Sequence, residues 1–283
     1  MILVKSIKEM RELADIARCS NKTIACVPTM GYLHEGHLSL IRYAAEVADF
    51  VVTTIFVNPM QFGPDEDYER YPRDTENDLR KACDNGSEYI FLPETKEMYP
   101  ENFGTKVVVE GISDKFEGVF RPGHFDGVAT VVLKMFNVIK PHIAVFGQKD
   151  YQQTLLIKRM VKDLNIDTDI VVRPTVREED GLAMSSRNTY LAPEFRTKAT
   201  ILYKALMSAK ELIEKGERSR IAINNELANI LQSEPGVRID YASAAIADNL
   251  EEPEHFKDGD EVVLLVAVNL QKVRLIDNLI VKL

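Results

Sequence analysis

Residues 28–37 read Pro-Thr-Met-Gly-Tyr-Leu-His-Glu-Gly-His. They lie between an apolar run rich in β-formers, residues 23–30, and a stretch with helical spacing, residues 36–48. The first N–H groups of a helix have no intrahelical partner, and the helix dipole favours an anion in front of them. Gly31 and Gly36 would let a phosphate come close to the backbone. His34 and His37 are three residues apart, so on a helical turn they share a face. Two imidazoles beside a helix start suit a phosphate that gains charge in a transition state. A pair of surface histidines at a turn is the plain alternative. Zinc is a weaker one, because the spacing is not that of His-Glu-x-x-His and no third ligand is evident.

Five further segments carry candidate groups. Asn58 and Gln61, in Phe56-Val57-Asn58-Pro59-Met60-Gln61-Phe62, place amides where an apolar run ends. Amides fix hydroxyls and carboxylates by geometry, although Asn-Pro is equally a turn signal. Asp65, Glu66, Asp67 and Glu69 could hold Mg²⁺ or simply form a solvated face. In Arg121-Pro122-Gly123-His124-Phe125-Asp126-Gly127, Asp126 reads as the N-cap of the helix that follows. Lys149, in Phe146-Gly147-Gln148-Lys149-Asp150-Tyr151-Gln152-Gln153, could reach a phosphate from a strand-to-helix turn, with Gln153 one helical turn on. Asp150 could equally be only a helix cap. Finally, Ser185, Ser186 and Arg187 sit on a loop opened by Gly181, which suits either a phosphate clamp or a linker.

These segments need elements to hold them. Residues 49–58 form a continuous apolar run, as a parallel strand covered on both faces would. A polar helical stretch at 74–85 follows, then strand-like runs at 89–93 and 106–111. Residues 126–140 put Val128, Val131, Val132, Met135, Phe136 and Ile139 on one helical stripe. A strand at 143–148, a helix near 151–164 and a strand at 169–174 complete the alternation. Such alternation predicts a parallel α/β sheet, which binds ligands at the carboxyl ends of its strands. After about residue 174 the pattern changes to two helical stretches, 193–215 and 219–233, and three strands near 238–247, 261–270 and 272–281. A second, smaller α+β domain is expected, with residues 1–175 as the first domain and 176–283 as the second.

Composition narrows the partners. The 283 residues carry 35 basic and 44 acidic side chains, a net charge of −9. Residues 1–173 hold 21 basic and 26 acidic side chains, and residues 174–283 hold 14 and 18, so both parts are mildly acidic. Neither is a basic domain, so nucleic-acid and anionic-membrane partners are not expected. Cys19, Cys26 and Cys83 are too few and too scattered for a disulfide framework. The N-terminal residues are charged early, without a signal core, and no apolar stretch reaches membrane-spanning length. A cytoplasmic protein is expected.

The segments PTMGYLHEGH, FVNPMQFGP, DYERYPRD, FRPGHFDGVATVV, GQKDYQQ and DGLAMSSRN, in this order, closely resemble the pantoate–β-alanine ligase family of the His-x-Gly-His nucleotidyltransferase superfamily. The likeness is dense over residues 24–192 and continues weakly to RLIDN at 274–278. It implies a Rossmann-like parallel-sheet domain that binds nucleotide and pantoate. Because an acyl adenylate is hydrolysable and the site should exclude water, the C-terminal α+β domain, with the 177–188 loop, is expected to close over ATP as a lid. It implies a ligase that activates pantoate with ATP as pantoyl adenylate, releases pyrophosphate, and lets β-alanine displace AMP to give pantothenate. Mg²⁺ would accompany ATP, and a homodimer would be the assembly. By the same resemblance, Pro28, Met30, Gly31, His34 and His37 line the ATP site, with His37 as the proton-donor histidine and His34 beside it on the phosphates. Gly147, Lys149, Asp150 and Val176 also contact ATP, as do Met184, Ser185, Ser186 and Arg187. Gln61, Gln153 and Met30 bind pantoate, and Gln61 borders β-alanine. The catalytic group is His34, His37, Lys149, Ser185, Ser186 and Arg187. Two departures stand out. Tyr32 replaces the family's frequent Ala, and its side chain is expected to point away from ATP. The turn at 269–272 lacks the glycine common there, which leaves its conformation open.

A superfamily enzyme that stops after one nucleotidyl transfer is the nearest rival, but it would not need Gln61 or Gln153. An amino-acid-activating enzyme would need a basic RNA-binding region. A non-catalytic nucleotide-binding protein would be marked by loss of the histidine pair, Lys149 or the Ser-Ser-Arg loop, and all are intact.

Overall fold

A computed structural model describes residues 1–283. The chain divides into two compact units, residues 1–148 with 152–174, and residues 149–151 with 175–283.

In the first unit, apart from Tyr151 at the start of α7, the elements run β1 (Ile2–Val4), α1 (Ile7–Cys19), β2 (Ile24–Thr29), α2 (Glu35–Val47), β3 (Phe50–Ile55), α3 (Thr75–Asp84), β4 (Tyr89–Phe91), α4 (Thr95–Met98), α5 (Glu117–Phe120), α6 (His124–Ile139), β5 (Ile143–Gly147), α7 (Tyr151–Asp163) and β6 (Asp169–Arg173). The six strands form one parallel sheet in the order β1-β4-β3-β2-β5-β6. Alternate residues of a strand point to opposite faces, and here both faces are buried. Ile24 and Cys26 of β2 pack with α1 and α6, while Ala25 and Val27 pack with Leu40, Ile41 and Ala44 of α2. This is why the strands read as unbroken apolar runs. Strand order reverses between β2 and β5, so the carboxyl ends of these two neighbours bound the crevice in which open α/β sheets bind ligands.

Three expectations need correction. Residues 106–111 are not a strand. Their in–out alternation is present, with Val109 buried and Val108 exposed, but the Val107 N–H donates to Thr130 Oγ1 of α6 at 2.9 Å. Lys106 pairs with Asp126 at 2.8 Å, so side chains of α6 take the place of a ladder. Asp126 is not the N-cap of α6. Gly123 caps it with a left-handed backbone, and Asp126 lies in the first turn, where its charge suits the dipole. The stretch 193–215 forms two helices rather than one, as described next.

The second unit contains α8 (Pro193–Lys198), α9 (Ile201–Glu214), α10 (Arg220–Gln232), β7 (Val237–Ile246), β8 (Glu261–Leu270) and β9 (Val273–Lys282). Ala199 and Thr200 separate α8 from α9 while staying helical in backbone, and the Thr200 hydroxyl donates back to the Thr197 carbonyl at 2.8 Å. The strands form an antiparallel sheet, β7-β8-β9. Leu202, Leu206 and Ala209 of α9 and Ile223, Leu227 and Leu231 of α10 share one core with Val262, Leu264, Val266 and Val268 of β8. The β8–β9 turn puts Gln271 at φ 56°, the left-handed position a glycine would fill without a Cβ penalty.

Candidate active site

In the first unit the loop after β2 is pinned by side chains from other elements. Pro28 has no N–H to give, and the β2–β5 ladder has already ended at Cys26, so none is lost on that side. The Thr29 hydroxyl donates to the Thr54 carbonyl at 2.7 Å and accepts the Gly31 N–H at 3.2 Å. Gly31 and Tyr32 then take consecutive left-handed conformations, φ 82° and 52°. A Cβ on Gly31 would come within 2.9 Å of both Asp78 Oδ2 and Ile55 Cγ2, so glycine is required there twice over. Asp78, buried in α3, accepts the N–H groups of Tyr32 at 2.7 Å and Leu33 at 2.6 Å. Lys81 Nζ donates to the Leu33 carbonyl at 2.6 Å. Burial pushes the Asp78 carboxyl up in pKa, against the pull of the two N–H groups and Lys81.

This loop delivers His34 as the N-cap of α2 and His37 into its first turn. The imidazole centroids are 4.1 Å apart. The His34 N–H points at His37 Nδ1 over a long 3.4 Å. With Nδ1 as acceptor, a neutral His37 carries its proton on Nε2.

Gln61 lies on a 3-10 turn, Pro59–Gln61, after β3. The orientation of its amide follows from a chain of donors. The Tyr99 hydroxyl donates to Asn58 Oδ1 at 2.7 Å, and the Met60 N–H donates to the same oxygen at 3.2 Å. Asn58 Nδ2 therefore faces the other way, donating to the Gly127 carbonyl at 3.0 Å and to Gln61 Oε1 at 3.1 Å. The Gln61 NH₂ is left on the side of Met30, with Nε2 2.9 Å from Met30 Sδ. It presents donors, which suit a carboxylate or hydroxyl oxygen.

The Arg121–Gly127 segment serves Gln61 from behind. His124 Nδ1 is 2.8 Å from the Gln61 carbonyl and its Nε2 is 3.1 Å from Arg121 Nη1. Burial, and secondarily Arg121, push the His124 pKa down to about 4. The ring is thus neutral, donating from Nδ1 and accepting at Nε2. Arg121 also binds Glu66 through two bonds of 2.8 and 2.5 Å. Glu66 thereby leaves the solvated acidic face that the sequence suggests. Gly127 lets α6 approach, since a Cβ there would lie 2.2 Å from the Met60 carbonyl oxygen.

Gly147 ends β5. Its only neighbour within 4 Å of an added Cβ is Leu40 Cδ1, at 3.9 Å. Packing within the protein does not demand glycine there. Gln153 is half-buried on α7. Its neighbour Gln152 is buried and structural, with Nε2 donating to the carbonyls of Ile112 at 2.7 Å and Lys115 at 2.8 Å.

In the second unit, Lys149 lies beside Asp150, with Nζ 3.4 Å from Asp150 Oδ1. The Val176 carbonyl accepts the Met184 N–H at 3.0 Å, which closes a turn between them. Ser185 caps the 3-10 turn Ser186–Tyr190, its Oγ accepting the Arg187 N–H at 3.3 Å. That leaves the Ser185 hydroxyl proton available to donate elsewhere. Ser186 is buried and Arg187 half-buried. No group of three or more His, Cys, Asp or Glu side chains converges as a metal site.

Sequence reasoning read Asn58 as a ligand-binding amide or a turn and the Arg121 segment as a helix cap, whereas both support Gln61. It assigned no role to Asp78, Tyr99, Asp277 or Asn278. Asn58 carried a signal as an amide at a strand's end, and Asp277 and Asn278 lie in the RLIDN segment of the family likeness. Asp78, Tyr99, Asp277 and Asn278 act through partners 41 to 129 residues away.

Comparison with known proteins gives the same reading. The pantoate-beta-alanine ligase family model matches residues 2–280. A pantothenate synthetase of Caldicellulosiruptor bescii is 51% identical over 282 residues, covering 100% of this chain and 99% of its own. That of Caldicellulosiruptor saccharolyticus is 52% identical, covering 100% of both. Among solved structures, pantothenate synthetase from Thermus thermophilus superimposes with a TM-score of 0.92 at 44% identity, covering 99% of each chain. The pantoate-beta-alanine ligase from Francisella tularensis, complexed with beta-gamma ATP and beta-alanine, gives 0.80 at 33% identity, covering 99% of this chain and 97% of its own. The chain belongs to the pantoate–β-alanine ligase family.

Proposed function

We propose that the protein catalyses the ATP-dependent condensation of (R)-pantoate with β-alanine to pantothenate through a pantoyl-adenylate intermediate. The observation that carries this reading is the paired His34 and His37 at the start of α2, at the carboxyl end of β2 where strand order reverses. It agrees with the match to the family over residues 2–280. A pantoate carboxylate oxygen attacks the α-phosphorus of ATP, and the bond to pyrophosphate breaks. The β-alanine amine then attacks the acyl carbon, and AMP leaves with the electron pair of the C–O bond.

Attack of a carboxylate on a phosphate brings anion against anion, so catalysis is chiefly charge neutralisation and positioning. His37 offers its Nε2 proton to a phosphate oxygen, with His34 and the α2 N-terminus beside it. Lys149 and Arg187 bring positive charge, and Ser185 and Ser186 bring donors. Pro28, Met30, Gly31, Gly147, Asp150, Val176 and Met184 complete the nucleotide contacts, with Gly147 reserved for close approach of the ligand. Gln61 and Gln153, with Met30, bind pantoate, and Gln61 borders β-alanine. Mg²⁺ would accompany ATP, held chiefly by triphosphate oxygens and water, and would supply positive charge to the phosphates. Residues 1–175 serve as the nucleotide- and pantoate-binding domain and residues 176–283 as a lid. The assembly is a homodimer in the cytoplasm.

The test is pyrophosphate and AMP release from MgATP and pantoate, with and without β-alanine. Sustained AMP release that requires both substrates, with pantothenate formed, supports the reading. If pyrophosphate never forms with pantoate, the substrate is wrong. His37→Ala is expected to lower kcat by about 10²–10³ with the fold intact, the usual cost of one electrostatic donor.

A further inference from the structure

The segment Arg274-Leu275-Ile276-Asp277-Asn278 of β9 holds two buried polar side chains that the reaction has not used. Asp277 is 3% and Asn278 is 2% exposed. The Asp277 carboxylate accepts from Arg177 through two bonds, Nη1 to Oδ2 at 2.6 Å and Nη2 to Oδ1 at 2.9 Å. Arg177 also donates to the carbonyls of Gly181 at 2.9 Å and Asn278 at 3.2 Å, and lies 4.4 Å from the centre of the Tyr203 ring. Gly181 is left-handed and lies against the same ring, where a Cβ would fall 2.0 Å from Tyr203 Cδ1. The turn from Val176 to Met184 is therefore clamped by Asp277 through Arg177. The Ser185-Ser186-Arg187 run leaves directly from that turn.

Asn278 faces another segment. Its Nδ2 donates to the Lys149 carbonyl at 2.8 Å. Successive side chains of a strand leave on opposite faces, so one dipeptide can reach two segments. We propose that Asp277 and Asn278 are positioning residues that set Lys149 and the 184–187 loop in fixed register with one another, so that both deliver charge to the same phosphates. The inference rests on the phosphate-binding role of Lys149 and Arg187 given above.

The test is a double-mutant cycle read by pantoate-dependent exchange of labelled pyrophosphate into ATP. Asn278→Ala is expected to lower exchange about tenfold, and Lys149→Ala by about 10²–10³. The double variant is expected to match Lys149→Ala within about twofold, because Asn278 acts through Lys149. Asp277→Asn crossed with Arg187→Ala is expected to give the same non-additive pattern. A general structural defect would instead add fully in both backgrounds, and that result overturns the proposal. So does normal exchange in Asn278→Ala and Asp277→Asn. Near-normal exchange in Lys149→Ala overturns the role of Lys149 itself, which is a different failure. If Asn278→Ala does not fold, Asn278→Asp removes the Nδ2 donor at constant size and enters the same cycle. If exchange in the Lys149 variants falls below detection, calorimetric ATP affinities of the same four proteins complete it.

Discussion

Asp78 accepts the backbone N–H of Leu33 at 2.6 Å across 45 residues of chain, and its other oxygen takes the Tyr32 N–H at 2.7 Å. A helix side chain thus shapes the left-handed turn that presents His34 and His37. Asp78→Ala would leave two N–H groups without their acceptor, at a cost of about 1–3 kcal/mol each. We expect it to lower both denaturation midpoint and kcat. Asp78→Asn retains one acceptor and is expected to lose less of each. Equal activity in all three proteins would remove Asp78 from the positioning of the histidines.

Gly31 and Gly147 are expected to separate a folding requirement from a binding one. A Cβ at Gly31 meets Asp78 and Ile55 at a left-handed backbone, so Gly31→Ala is expected to destabilise the protein by about 1–3 kcal/mol and to lower activity. A Cβ at Gly147 meets only Leu40 at ordinary contact distance. Gly147→Ala is expected to keep its melting temperature while KM for ATP rises. Loss of stability in Gly147→Ala would show that the fold, not the ligand, demands this glycine.

Tyr99 fixes Asn58, and Asn58 fixes the amide of Gln61. Tyr99→Phe removes one donor and leaves the Met60 N–H on the same oxygen. A loss of about 1 kcal/mol corresponds to a fall of about fivefold in kcat/KM for pantoate, with KM for ATP unchanged. Steady-state kinetics with each substrate varied in turn makes the distinction. A parallel rise in KM for ATP would mean that the effect is not specific to Gln61.

The buried His124 makes stability depend on pH. Its pKa in the fold is about 4, against about 6.5 in an unfolded chain. Between these values the unfolded chain binds a proton that the native protein does not. Stability from this group is therefore complete above about pH 6.5 and is lost as pH falls towards 4, by about 1.4 kcal/mol per unit. Denaturation at pH 7 and pH 5 should show a larger loss in the native sequence than in His124→Asn, which cannot titrate. Equal losses would mean that His124 does not change its protonation between folded and unfolded states.

What the sequence determined is what depends on near neighbours. Apolar runs placed the central strands because both faces of a parallel sheet are covered. The helical stripe of residues 128–139 placed α6, and i, i+3 spacing put His34 and His37 side by side. Ordered motifs carried the family resemblance. Periodicity failed where tertiary partners replaced the ladder, at 106–111, where Thr130 takes the Val107 N–H. It did not single out β1, Ile2–Val4. Only the tertiary structure decided that β2 and β5 are neighbours, and so where the crevice opens. It alone brought Asp78 to the turn at Tyr32, Tyr99 to Asn58, and Asn278 to Lys149. These are isolated polar contacts between distant segments, which leave no periodic trace in a chain, whereas burial of an apolar face repeats every two or three to four residues and can be read from it.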